Sequence, residues 1–90
     1  MREKDIDEYV EVFKALANKT RLKMLMGVFK DECNVSRIVK KLNVPQSTIS
    51  QHLSYLKGKG IVKGRREGTK VCYKVVDKKA REIIELLLKN

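Results

Sequence analysis

Apolar residues recur at three- and four-residue spacing over most of the chain, and this predicts five helices. In residues 4–17 they fall at Ile6, Tyr9, Val10, Phe13, Leu16 and Ala17, one stripe of an amphipathic helix that Asp5 would cap. Residues 18–30 repeat the pattern with Leu22, Met24, Leu25, Val28 and Phe29, and Asn18 or Thr20 would separate the two helices. A polar loop from Phe29 to Asn34 breaks the rhythm. Val35, Ile38, Val39 and Leu42 then mark a short third helix, with Asn34 or Ser36 at its start. Pro45 ends it, holds Val44 extended and opens a fourth helix whose stripe is Ile49, Leu53 and Leu56. A short helix, a tight turn and a second helix form a helix-turn-helix, here without the glycine such turns often use.

After Gly58 and Gly60 the period changes from helical to two. A strand begins at Ile61-Val62-Lys63, residues 64–69 read as a turn, and Val71, Tyr73 and Val75 alternate with Cys72, Lys74 and Val76. Two strands around a glycine-bearing loop make a hairpin, or wing, with Arg65, Arg66 and Lys70 near its tip. Asp77 would cap a last helix over residues 78–89, whose apolar residues are Ala80, Ile83, Ile84, Leu86, Leu87 and Leu88. The expected fold is mainly α with a small β-hairpin, α+β in class, a winged helix-turn-helix in the order α1-α2-α3-α4-β1-β2-α5. Ninety residues are read as a single domain, 1–90. The last helix is more apolar than one small core needs, so it should pair with a second copy. The expected dimer contacts are Ile6, Tyr9, Val10 and Phe13 from the first helix and Ile83, Ile84, Leu87 and Leu88 from the last.

Charge gives this framework a direction. The chain carries a net charge of +10, with 21 Lys and Arg against 11 Asp and Glu. Residues 1–12 are net acidic, whereas residues 57–81 hold ten basic residues against Glu67 and Asp77. Such a field favours polyanions, nucleic acid first. The face of the fourth helix opposite its apolar stripe is uncharged, although lysine and arginine surround it. It offers Ser47, Gln51, Ser54 and Tyr55, flanked by Thr48 and Ser50, side chains that all both give and accept hydrogen bonds. Base edges in a major groove are read by such groups, and mid-helix Ser and Thr are poor helix formers whose clustering asks for a reason. Gln46, Ser47, Thr48, Ser50, Gln51, Ser54 and Tyr55 are therefore the expected contacts to double-stranded DNA. Lys57, Lys63, Arg65, Arg66 and Lys70 are the expected phosphate or minor-groove contacts.

Other chemistries find little footing. No apolar run is long enough to span a bilayer and Arg2 to Glu8 does not resemble a signal peptide, so a cytoplasmic location without a membrane partner is expected. There is no glycine-rich phosphate loop, nucleophile–base pair or usefully spaced carboxylate pair, so neither an enzyme nor a cofactor is expected. Two cysteines, Cys33 and Cys72, suit a reducing compartment better than a disulfide scaffold. They read either as small buried hydrophobes or as a thiol switch. Cys33 lies in a polar loop, and Cys72, out of phase with Val71, Tyr73 and Val75, is expected on the wing's outer face.

The stretch ALANKTRLKML, Ala15 to Leu25, resembles the opening signature of the ArsR/SmtB family of winged helix-turn-helix repressors. QSTISQHL, Gln46 to Leu53, resembles that family's recognition helix, and Gly60-Ile61-Val62 followed by Arg65 to Tyr73 resembles its wing. The resemblance runs over nearly the whole chain in the same order. It implies a dimeric bacterial or archaeal repressor, with the first and last helices at the interface, whose operator is released when a small effector, often a metal ion, binds. The family's metal ligands are missing. Ser36 and Asn34 stand where one site uses a Cys-x-Cys pair, Lys79 stands where another uses histidine, and His52 is the sole histidine. No metal site is expected. Two functions remain in view: a homodimeric repressor on a palindromic operator with half-sites about 34 Å apart, or an adaptor or nonspecific basic protein built on the same fold.

Overall fold

The computed structural model describes all 90 residues. It contains α1 (Glu3–Leu16), α2 (Lys19–Lys30), α3 (Val35–Leu42), α4 (Gln46–Gly58), β1 (Val62–Glu67), β2 (Lys70–Val75) and α5 (Lys78–Leu88). Each expected element is present in the expected order. Their shared interior is formed by Val12, Ala15 and Leu16 of α1, Leu25 and Val28 of α2, Leu56 of α4, Ile61, Val62 and Val75 around the hairpin, and Ala80 and Ile84 of α5.

The helix boundaries follow from identifiable local chemistry. The Asn18 side chain accepts from the Arg21 amide at 3.0 Å and starts α2, and Asp77 accepts from the Ala80 amide at 2.9 Å and starts α5. Asp5 does not cap α1. That helix already begins at Glu3, and Asp5 instead pairs with Arg2 at 3.2 Å. Asn34 stands at the start of α3 but turns its amide to Asp31, 2.7 Å away. The turn between α3 and α4 bends through Asn43, whose φ of 54° is left-handed. Asparagine tolerates that conformation, which explains how the turn forms without glycine. At the other end of α4, Gly60 at φ 73° lets its own amide reach the Lys57 carbonyl and the Ile61 amide reach that of Leu56, each at 3.0 Å. The same closure brings buried Ile61 beside buried Leu56 and aims the chain into the hairpin.

In the antiparallel hairpin, Val62 pairs with Val75 and Glu67 with Lys70. The turn is therefore only Gly68-Thr69, with Gly68 at φ 63° as a tight type II′ turn requires. Arg65 and Arg66 lie in β1, opposite Cys72 and Val71, and not at the tip as the sequence suggested. Gly64 pairs with Tyr73, whose ring fills the space a side chain would take, 3.1 Å from a Cβ placed there.

Replacing Asp77 by Ala should cost about 1 kcal/mol by freeing the first amides of α5. A fall of about 4–8 °C in thermal midpoint would register it, and an unchanged midpoint would show that the cap contributes nothing.

Candidate nucleic-acid interface

Helix α4 divides its residues cleanly. Ile49 and Leu56 are buried, Leu53 is half-buried, and Gln46, Ser47, Ser50, Gln51, Ser54 and Lys57 are exposed. Thr48 is half-buried at the flank. Tyr55 faces inward instead of joining the polar row. Its ring lies beneath the Arg21 guanidinium at 4.5 Å, with Lys59 Nζ 5.9 Å away, and its body packs on the core. A phenol offers enough apolar area to be drawn into that seam between α2 and α4.

The cations around this row come from three elements. Lys57, Gly64, Arg65, Arg66 and Val71 line one shallow hollow, which joins the end of α4 to the wing. Lys57 also sits 5.3 Å from the Tyr73 ring. A cleft of ≈ 470 Å³ brings Gln46 of α4 and Ser36 of α3 to the wing residues Thr69, Lys70 and Tyr73. Lys63 is exposed on β1. Arg65 is not free: Glu32 holds it at 2.9 Å and Glu67 at 3.0 Å, and both carboxylates favour its charged form. The sequence reading missed Arg37 and Lys40. They share a hollow with Ser36, Val39 and Gln46 beside the start of α4. Their position on the first helix of the motif, the one that crosses a DNA backbone, was the available signal.

The acidic residues lie elsewhere. Glu8 of α1 binds Lys79 at 2.8 Å and Glu11 binds Lys59 at 3.3 Å. The lysine contacts hold both carboxyls below the usual glutamate range.

The model of the arsR family of bacterial regulatory proteins matches residues 18–63, from the cap of α2 through the helix-turn-helix into β1. The chain belongs to the arsR family. An uncharacterized HTH-type transcriptional regulator of Methanocaldococcus jannaschii is 43% identical over 82 residues, covering 90% of this chain and 92% of that one. The transcriptional repressor PagR of Bacillus anthracis is 36% identical over 83 residues, covering 91% of this chain and 83% of that protein. Its crystal structure superposes with a TM-score of 0.79 over 96% of this chain and 99% of PagR. The homodimeric winged helix-turn-helix domain of Mb0332 from Mycobacterium bovis is 29% identical, with a TM-score of 0.76 over 99% of this chain and 80% of that one. As an arsR-family protein with this fold, the chain is a DNA-binding transcriptional regulator and not an enzyme.

Two local features bear on metal binding and on the cysteines. No three His, Cys, Asp or Glu side chains are placed to hold a metal ion. Cys33 and Cys72 are joined in a disulfide, with their Cα atoms 4.1 Å apart. The preference for unpaired cysteines is thus overturned, and so is the outward placement of Cys72, which is completely buried. Alternation along β2 misled because burial on its second face is local: Cys72 is buried where it meets Cys33, whereas Lys74 and Val76 on that face are exposed. The loop ahead of α3 runs along the free edge of β2, where the Tyr73 amide donates to the Glu32 carbonyl at 2.8 Å.

The surfaces expected to pair two copies are divided. On α1 the core takes Val12, Ala15 and Leu16, leaving Ile6, Val10 and Phe13 exposed and Tyr9 half-buried. With Met1, these four line an entirely apolar hollow. On α5, Leu87 is exposed and Ile83 and Leu88 are half-buried. Ile84 is wholly buried within its own chain and cannot serve a partner, because it shares the inward face with Ala80. Leu86, absent from the expected set, is 63% exposed. No helix is long and apolar enough to cross a membrane.

Proposed function

We propose that two copies of this chain pair through α1 and α5, bind a palindromic operator and repress transcription by occupying it, in the cytoplasm where that DNA lies. The row Ser47, Ser50, Gln51 and Ser54 carries this reading, because it is exposed, uncharged and flanked by cations from α3, α4 and the wing. Gln46, at the start of α4, extends the row toward the duplex. Lys57, Lys63, Arg66 and Lys70 grip phosphate, with Arg37 and Lys40 on the far side of the groove, while Arg65 reaches DNA only after leaving Glu32 and Glu67. The repressor reading is supported by the likeness to PagR, and the pairing by the likeness to a homodimeric domain.

Gln51→Ala should relax base preference at one position, at a cost of about 1–3 kcal/mol there, and leave random duplex bound as before. Footprinting and competition binding read both quantities. Equal losses on operator and random DNA would remove Gln51 from base reading. At about 150 mM salt, where nonspecific binding fades, a gel shift on the chain's own promoter separates the operator-binding regulator from an adaptor or a nonspecific binder. Only the first persists.

The effector reading is thiol-based. The Cys33–Cys72 bond ties the wing to the loop before α3, so it fixes the angle at which wing and reading helix meet one duplex. A wing held in place loses less freedom on binding, and the oxidised form should bind operator up to about tenfold more tightly than the reduced one. Equal affinities, with Cys33→Ser and Cys72→Ser matching the parent, would leave the bond a structural brace.

A further inference from the structure

Arg21 sits in the first turn of α2, away from the polar row of α4, and no base-reading or phosphate role falls to it. Its side chain nevertheless joins two other helices. The Nε–H donates to the Ala15 carbonyl at 2.7 Å and an Nη2–H to the Lys14 carbonyl at 3.2 Å, both in the last turn of α1. These carbonyls lack partners within their own helix and lie at its negative end, so a cation there is doubly favoured. From the same plane, Nη1 lies 3.5 Å from His52 Nδ1, and the guanidinium covers the Tyr55 ring at 4.5 Å. Both of those residues belong to α4. Burial, and then the neighbouring guanidinium charge, lower the His52 pKa and so favour the neutral ring, which accepts from Arg21 in the tautomer that leaves Nδ1 unprotonated.

We propose that Arg21 is the positioning residue that locks the recognition helix α4 to α1. Because α1 carries the exposed apolar face, the same lock sets the separation and relative tilt of the two reading helices in a dimer. This second clause rests on the dimeric operator-binding reading above; the first does not. The chemistry calls for arginine in particular. One planar group donates in its plane to two carbonyls and an imidazole while its face stacks on a phenol. An ammonium supplies one point of charge and cannot span these partners. Lys59 offers a weaker parallel link, 5.9 Å from the Tyr55 ring and paired with Glu11 of α1 at 3.3 Å.

The test compares Arg21→Lys with the parent by two readouts. Hydrogen exchange in the DNA-free protein reports the lock directly: amides of residues 53–56 should exchange at least about threefold faster, whereas those of α5 keep their rate. Binding to duplexes carrying two half-sites, one half-site, or two half-sites with one base pair added between them reports the spacing. The variant should lose about tenfold on the correctly spaced duplex, change less than about twofold on the single half-site, and discriminate less against the added base pair. Arg21→Gln, which retains two donors in a plane, serves as the second variant if lysine lowers the melting midpoint, and binding is then measured well below it. Unchanged exchange in α4 overturns the lock. Changed exchange with equal losses on every duplex overturns the spacing role and leaves a brace for one reading helix. A parent chain that fails to prefer two half-sites over one instead overturns the dimeric operator reading, and exchange then decides the lock alone.

Discussion

Phe13→Glu is expected to give a folded chain that sediments as a single copy and binds a two-site operator about a thousandfold or more weakly, the order of magnitude that separates specific from nonspecific binding. Phe13 is 54% exposed in the isolated chain and stacks on Tyr9 with ring centroids 6.2 Å apart. Ile6 and Val10 extend the same apolar surface. A carboxylate in the middle of that surface would be stripped of water without a partner, at a cost that removes the pairing. The fold tolerates the change because the inward face of α1 is Val12, Ala15 and Leu16. Sedimentation and gel shift measure the two effects, and melting should lose its dependence on protein concentration. A variant that still sediments as a dimer would place the interface elsewhere.

Reducing Cys33–Cys72 is expected to lower the unfolding free energy by about 4 kcal/mol, since the bond closes a loop between residues 39 apart and so restricts the unfolded chain. Urea unfolding of the oxidised protein, the reduced protein and Cys33→Ser should show this as a shift of midpoint. The native fold should survive reduction. The Tyr73 amide keeps its bond to Glu32, Arg65 keeps its ion pair with the same residue, and buried Cys72 packs as a small hydrophobe. A change below about 1 kcal/mol would mean that the unfolded chain gains little freedom when the bond opens.

The helices and their order were legible because short-range rules decide them. Asn18 and Asp77 announce two starts, Pro45 a third, and three- and four-residue spacing fills the rest. What escaped depended on residues distant in sequence. Stripe counting found Ile6, Val10, Phe13 and Leu16 but not that the core would take Leu16 together with the unlisted Val12 and Ala15 and leave the other three exposed. It grouped Ile84 with outward residues because a broad stripe serves two sides and only packing divides them. Cys72 looked outward because alternation presumes one covered face, and the loop carrying Cys33, 39 positions earlier, buries the other face at that one residue. The polar row was readable down to Ser54, whereas Tyr55 was drawn inward by Arg21, 34 positions earlier. The wing's cations were found, but Arg65 was credited with a freedom that Glu32 and Glu67 take away.

The pairing of Glu8 with Lys79 and Glu11 with Lys59 quenches two cations on one flank, and the helix-turn-helix and hairpin keep much of their excess. The molecule is consequently lopsided in charge. In dilute salt, where fields reach about 10–30 Å, a nearby duplex exerts a torque that swings the α1 flank away before the surfaces touch. Productive collisions thus become a larger share of all collisions. Added salt shortens that reach, and the chain then arrives at random attitudes.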